Sequence, residues 1–509
     1  MMKDTAHGTI EEVETSSGVP VVHDEGLVAP DWSRADAYIM AALSVVAVLT
    51  RFWHLDQPST LVWDEKWTVW LARSYLRNEP FRDTHPPLTA LLVAGCIKLF
   101  GDQAWSWRFP SAAIGSGLVA VTYLLGRQLF NSRITATLAA ALVILDGLFL
   151  VESRFAVWEI YYVTFAALAY LFLFQFIQNT NRSSQRRLLA LIGASLGLAL
   201  GSKFLIPAVT ELLVVGSAIF AMFWIPRSGA TRLENRIGIG VALKRVLGVV
   251  ALVGGISTLV YMCIYLPNYW LGWWRGVIDQ IASYHEEVRY QGRFVQESHQ
   301  YASPWWSWPL MLRPVMFWMK KEFLFNPDAK VSSIRALGNP VIWSGVMISI
   351  PLVGTGLVTR FSFARMFLVV GYILYLATWA AIPRYHFVYH YLPSLYLGLL
   401  TLAVALSDCW SGATRVWQQS ALLIATLMPL FVGLGLRDGL IVSVATAATY
   451  GFLLNYQPGF ASKFVVTFFS LATILMFFYF LPLWIGTPLS RSEFAGRLWL
   501  QGPTLANWL

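Results

Sequence analysis

A chain of 509 residues that is 57% hydrophobic and 13% charged, with a mean hydropathy of +0.56, holds more apolar surface than a soluble core of that size can hide, so lipid has to solvate most of it. The net charge of +9 does not mark a nucleic-acid binder, because the basic residues stand mostly in short loops between apolar runs and not along one soluble face. Cys96, Cys263 and Cys409 lie far apart in or beside apolar stretches, a packing pattern that argues against a disulfide framework or a cysteine-held metal.

Residues 1–34 are acidic, with Glu11, Glu12 and Glu14 among Gly, Ser and Thr, and lack both a basic lead into an apolar core and a small-residue cleavage site. They read as a disordered cytoplasmic tail. Residues 35–509 read as one all-α polytopic membrane domain. Apolar runs begin near 36, 105, 134, 155, 188, 205, 246, 340, 366, 392, 419, 439 and 464, which predicts about eleven to thirteen transmembrane helices of roughly twenty residues each. Arg127 and Arg133, then Arg182, Arg186 and Arg187, then Arg227, Arg232, Arg236, Lys244 and Arg245, then Arg360 and Arg365 fall on alternate sides. The positive-inside rule makes that side cytoplasmic. The segment from about 54 to 104 and the longest loop, about 267–339, then face outward.

The first of these outer segments concentrates ionisable groups. Trp63-Asp64-Glu65 is followed, eighteen residues past the glutamate, by Asp83-Thr84-His85-Pro86-Pro87. Charges crowded against a membrane boundary are costly, so they mark a candidate reaction centre. Between the two clusters Trp67, Trp70, Leu71 and Tyr75 recur at helical spacing while Lys66, Arg73 and Arg77 occupy other faces, which predicts a helix lying in the interface with Asp64 at headgroup depth. Simple anchoring accounts for Trp67 and Trp70 but not for Asp64, Glu65 and Asp83 together. For Asp83 and the two prolines a helix-entry turn is the plain alternative. No GxxxxGK[ST] loop and no GxGxxG after a strand is present. A reaction on the outer face therefore calls for an activated donor that has crossed the bilayer, such as a polyprenyl-phosphate-linked group.

Farther along, Arg108, Arg154 and Lys203 stand near predicted outer ends of spans. A charge at a helix centre costs about 2.5–3.5 kcal/mol, but near an end it can snorkel to the interface, so each is either a snorkelling residue or a cation for a phosphate. Glu152 and Arg154, two apart, form an ion pair or serve a ligand. His386 and His390 are four apart, a spacing that on a helix could share a zinc ion with an acidic ligand, but no HExxH occurs and Tyr385, Phe387, Tyr389 and Tyr391 speak for an aromatic belt. The Trp-rich stretch from Ser303 to Trp308 is belt by composition, with a lid over a donor or a platform for an acceptor as alternatives.

The string WDEKWTVWLARSYLRNEPFRDTHPPL resembles the first-loop signature of the protein O-mannosyltransferases, an FDE followed by a helix and FDxHPPL. In family order, TRFWHL is similar to a TR(F/L)W element, WRFPSAAIG to RxxPAxxG, LDGLFLVESRF to an LD…SR span, and GLALGSKFL to a small-residue helix ending in lysine. SPWWSWPLMLRP and FVYHYLPSLY resemble later outer-loop and HHYLP elements, and ANWL the closing segment. The likeness spans nearly the whole chain after residue 35, with the WDE to HPPL unit its most specific part. Two departures stand out: Lys66-Trp67-Thr68 replaces a histidine expected shortly after the acidic pair, and the loop at 267–339 is too short for a β-trefoil MIR domain. The pattern is that of a bacterial-type member.

The resemblance implies a GT-C glycosyltransferase that moves mannose from a β-linked polyprenyl phosphate to a Ser or Thr hydroxyl of a secreted or membrane protein, with inversion, at the outer face of the cell membrane. Asp64 is then the general base, and Glu65 orients the acceptor or holds Arg51 or Arg108. Arg108, Lys203 and Arg154 meet the donor phosphate, and Arg51, Asp83, His85, His390 and Trp306 position sugar, acceptor or loop. No cofactor is expected, and a divalent metal is not favoured. A related transferase acting on a lipid or envelope polymer, as in the aminoarabinose transferases, would share fold and base. A secondary transporter would instead call for internal repeats with broken helices at the midplane, and the sequence shows no convincing repeat.

Overall fold

The computed structural model describes residues 29–81, 85–203, 206–224, 239–293, 299–320, 322, 326, 328–359, 361–500 and 508. The acidic start up to residue 28 and the candidate Asp83 lie outside them.

Helix α1 (Arg34–Phe52) begins at Ser33, whose hydroxyl accepts the Ala35 N–H while the Asp36 carboxylate accepts the Ser33 N–H. This reciprocal cap satisfies donors that a first turn leaves open. Then come α2 (Glu65–Arg77) and α3 (Leu88–Phe100), thirteen residues each and too short to span a bilayer. The predicted interfacial helix is α2: Trp67 and Trp70 are exposed, whereas Val69, Leu71 and Ala72 pack with Val93 and Ala94 of α3 and with Trp107.

Trp107 belongs to α4 (Ala104–Phe130), which is followed by α5 (Arg133–Leu145) and α6 (Gly147–Arg154). The last two meet at 62°. Asp146 makes the corner: one oxygen accepts the Leu148 and Phe149 N–H groups and caps α6, and the other accepts Asn339 N–H and Trp343 Nε1–H. Next are α7 (Glu159–Gln178), α8 (Arg182–Leu200), α9 (Ile206–Trp224) and α10 (Ile239–Ile264). Gly193 and Gly197 on α8 let α10 approach to backbone distance, because a Cβ at either would stand 2.7 Å from Val253 O or 2.6 Å from Ser257 O. That contact is the physical reason for a small-residue helix ahead of Lys203.

The outer segment that follows contains α11 (Leu266–Trp270), α12 (Val277–Arg293) and an antiparallel pair, β1 (Val315–Met319) and β2 (Ser333–Ala336). This one strand pair is an addition to the helical fold that the sequence predicts. Its register shifts between Met316 and Trp318, leaving Phe317 as the extra residue of a bulge. The chain then returns to the bundle through α13 (Pro340–Thr359), α14 (Phe363–Thr378), α15 (Leu392–Trp410), α16 (Val416–Tyr456) and α17 (Pro458–Ile485), and closes with α18 (Arg491–Arg497).

Every predicted apolar run becomes helix. Among the described residues nine helices are long and apolar enough to cross a membrane, or ten if the bent α5–α6 pair is one span. The runs starting near 419 and 439 are two arms of α16, which breaks at Gly435 (φ +78°). The arms fold back on each other, since Tyr450 donates to Gln419 Oε1 at 3.0 Å across the break. Leu259, Ile441, Leu471 and Phe478 are exposed on the outer surface of the bundle, as lipid-facing side chains should be. Where α1 begins and α4 ends, Asp36 is ion-paired with Arg127 and Arg133 at 2.7 and 3.2 Å, and Arg365 of α14 holds Asp408 of α15 through two bonds of 2.6 and 2.9 Å.

Candidate active site

At the other end of α1, the neighbours Asp64 and Glu65 have opposite surroundings. Glu65 is fully buried. Its Oε1 accepts Arg108 Nε–H and the Ala156 N–H, and its Oε2 accepts Arg108 Nη2–H and the Val62 N–H, at 2.9–3.2 Å. Arg108 spends its remaining N–H groups on the carbonyls of Leu55, Pro58 and Thr60. A guanidinium has five donors, and all are committed, so Arg108 has none for a phosphate. Arg108 is corrected to a clamp on the 55–65 loop, and of the alternatives for Glu65 the structure shows the one in which it holds Arg108.

Arg154 spends its terminal nitrogens elsewhere, while its buried Nε has no partner among the described residues. It donates to the carbonyls of Arg51, Trp53 and His54, closing the C-terminus of α1, where positive charge is favoured. Arg51 is fully buried and donates to Thr50 Oγ1 and Val143 O. Of the two alternatives for Glu152 and Arg154, the ion pair does not form, since neither Glu152 oxygen has a hydrogen-bond partner among the described residues.

Asp64 occupies the N-cap position of α2 but its side chain caps nothing. It is only partly buried, and its Oδ2 accepts the Tyr389 hydroxyl at 3.3 Å. The residue before it fixes its direction. Trp63 adopts φ +37°, donates its N–H to the bulge carbonyl of Phe317 at 3.2 Å, and seats its indole among Phe317, His299, Tyr301 and Phe387. A non-glycine residue in that conformation is strained, and such strain collects at functional sites. Desolvation and the nearby Glu159 push the Asp64 carboxyl up to about 6, against the opposing pull of Lys66, the Tyr389 hydroxyl and Lys203.

Lys203, just beyond α8, is buried and ion-paired with Glu159 at the start of α7. The Leu88 N–H donates to Gly201 O at 3.0 Å and ties the His85 loop to the same corner. There the His85 ring lies 3.9 Å from that of Trp158. Burial, Lys203 and Arg384 hold His85 well below the ordinary histidine value, so it is neutral. His390 accepts the Phe387 N–H on Nδ1 and stacks on Trp379 at 4.3 Å. Its charged neighbours are Lys203 and Arg384 as well.

His386 and His390 do not share a helix face. Val388–Tyr391 is a 3-10 turn, and the two rings stand 6.4 Å apart around Trp308 and Trp379. Burial and Arg384 bring His386 down to about 4, and no third metal-ligating side chain joins the pair among the described residues. Trp306 is 52% exposed on its own 3-10 turn, and it is Trp308 that packs inward.

Three participants escaped the sequence reading. Glu159 is a lone acid at the head of an apolar run, and the cost argument that singled out Asp64 applies equally to it. Tyr389 was absorbed into the aromatic belt, and Arg384 carried no motif. Glu152 on α6 is buried, and its charged neighbours are Glu159, Lys203 and Asp64. Chemically, the site joins a partly accessible carboxylate of raised pKa to a buried lysine, a neutral histidine and an arginine.

The chain matches the family model described as dolichyl-phosphate-mannose-protein mannosyltransferase over residues 41–104 and 99–271, and the C-terminal four-helix region of protein-O-mannosyltransferase over 277–502. It is 26% identical to a polyprenol-phosphate-mannose–protein mannosyltransferase of Mycolicibacterium smegmatis, over 73% of this chain and 82% of the relative. It is 23% identical to one from Mycobacterium tuberculosis, over 70% and 78%. Among solved structures, the fold is similar to that of the Saccharomyces cerevisiae Pmt1–Pmt2 complex bound to its sugar donor, with TM-score 0.72, 15% identity and 93% of each chain covered. ArnT of Cupriavidus metallidurans bound to undecaprenyl phosphate matches with TM-score 0.56 and 16% identity, over 92% of this chain and 79% of that one.

Proposed function

This chain belongs to the protein O-mannosyltransferase family, with the GT-C fold of a multi-pass membrane glycosyltransferase, and on that premise we propose that it transfers mannose from polyprenyl-phosphate-mannose to Ser or Thr hydroxyls of secreted or membrane proteins at the extracytoplasmic face of the cell membrane. The observation that carries the reading is the division of labour at 64 and 65. Glu65 is spent on Arg108, whereas Asp64 keeps an oxygen without a hydrogen-bond partner among the described residues and has its carboxyl pushed up to about 6 by desolvation.

A serine hydroxyl is a poor nucleophile at neutral pH. Asp64 takes its proton as the oxygen bonds to the anomeric carbon, and the bond from that carbon to the phosphate oxygen breaks on the opposite face, giving inversion. A base with a pKa slightly below the working pH is largely ionised yet still accepts a proton readily. The leaving phosphodiester becomes a phosphomonoester and gains negative charge, which fixed cations stabilise. Lys203 and Arg384 are the cations of this site that the charge would meet. Neutral His85 and the ring of His390 line the same corner, and no cofactor enters the reaction. Asp36, Arg127 and Arg133 would then mark the cytoplasmic end, and Asp64 the outer one.

Membranes containing the protein should move radiolabelled mannose from polyprenyl-phosphomannose onto a Ser/Thr-rich peptide, with or without a chelator. Label appearing only in lipid would replace the acceptor class, and loss of transfer in the chelator would bring in a metal.

A further inference from the structure

Other buried carboxylates in this bundle have partners: Asp36 has Arg127 and Arg133, Glu65 has Arg108, Glu159 has Lys203, and Asp146 has four N–H donors. Glu152 differs. It is 1% exposed, and neither carboxylate oxygen has a hydrogen-bond partner among the described residues. A buried acceptor left unmet is expensive, so such a group persists where a ligand satisfies it. Glu152 sits in α6, and its charged neighbours Glu159, Lys203 and Asp64 place it inside the candidate site. Glu159 is neutralised by Lys203, whereas Glu152 itself, with Asp64 nearby, disfavours an anion against its own oxygens and favours a neutral ligand group rich in O–H donors. A carboxylate presents two adjacent acceptor atoms, which suit a pair of neighbouring sugar hydroxyls.

Resting on the mannosyl-transfer reading, we propose that Glu152 accepts hydrogen bonds from ring hydroxyls of the donor sugar and so helps to select the hexose that is transferred. Asp64 acts on the acceptor and Lys203 lies toward the phosphate, which leaves Glu152 as the acceptor group for the remaining face of the sugar. Removing a hydrogen bond to a charged group should lower kcat/KM about ten- to hundredfold.

The test pairs protein variants with altered donors. Wild type, Glu152→Gln and Glu152→Ala are assayed in membranes with polyprenyl-phosphomannose and with its 2-, 3-, 4- and 6-deoxy analogues. One or two deoxy donors should lose about ten- to hundredfold with wild type. Glu152→Ala should lose a similar factor with the parent donor and nothing further with those analogues. Penalties that persist undiminished in Glu152→Ala, or a variant as active as wild type, would overturn the proposal. If neither variant folds, the wild-type series still decides: uniform activity across all deoxy donors means that no hydroxyl is read there, and the proposal falls. Absence of any transfer by wild type would instead sink the mannosyl-transfer reading on which it rests.

Discussion

The two ends of the helical bundle treat charge differently. At one, Asp36 is held by Arg127 and Arg133, and Arg365 by Asp408, so the ions neutralise each other and fasten helix termini. At the other, Glu65–Arg108 and the capping Arg154 do the same work, yet Asp64 and Glu152 have no ion-pair partner among the described residues. Pairing is what a membrane fold demands of a charge that only holds structure. The carboxylates without a cation at the second end are the ones we assign to chemistry, and within the acidic pair the boundary between the two kinds runs between residues 64 and 65.

The sharpest way to break this contrast is to unpair a structural ion. Arg108→Ala leaves Glu65 buried without its counter-charge and should cost about 3–5 kcal/mol, enough to remove most folded protein, as read by thermal unfolding in detergent. Normal stability with selectively lost transfer would return Arg108 to the donor. Lys203→Met is expected to lower kcat about a hundredfold through weaker charge stabilisation, measured in membranes at saturating donor. A change confined to KM would make Lys203 a binding residue only.

Asp36→Asn, at the opposite end, should cost about 1.5–3 kcal/mol of stability while the surviving enzyme keeps its kcat, because nothing there touches the reaction. A smaller effect concerns pH. Asp64 must be ionised to act, so kcat/KM should hold above about pH 6 and fall tenfold per unit below it. The sign for stability is opposite: a carboxyl raised from 3.8 towards 6 binds its proton more tightly when folded, so that contribution is lost as the pH rises through this window. A pH profile flat down to 4.5 would put the base elsewhere.

Much of the fold was legible, because a run of about twenty apolar residues in lipid has few alternatives to a helix. The acidic pair was legible for the complementary reason, that charge at a membrane boundary is costly. Which carboxylate would be free was not. Arg108 lies 43 residues from Glu65, and its other acceptors are carbonyls of a loop whose shape no periodicity encodes. For Glu152 and Arg154, two apart, the sequence left an ion pair and a ligand role equally open, but α6 turns them to different sides, one towards the end of α1 and the other towards Lys203. The β1–β2 hairpin escaped because its strands are five and four residues long, and its bulge matters only for where it sets Trp63.

The central claim is that Asp64 removes the proton of the acceptor hydroxyl, and Asp64→Asn tests it most directly, since the side chain caps nothing and the change keeps its shape. Transfer of mannose to a Ser/Thr peptide should fall by at least about 10²- to 10⁴-fold while protein level and unfolding temperature stay unchanged. A variant that transfers at the wild-type rate would contradict the account.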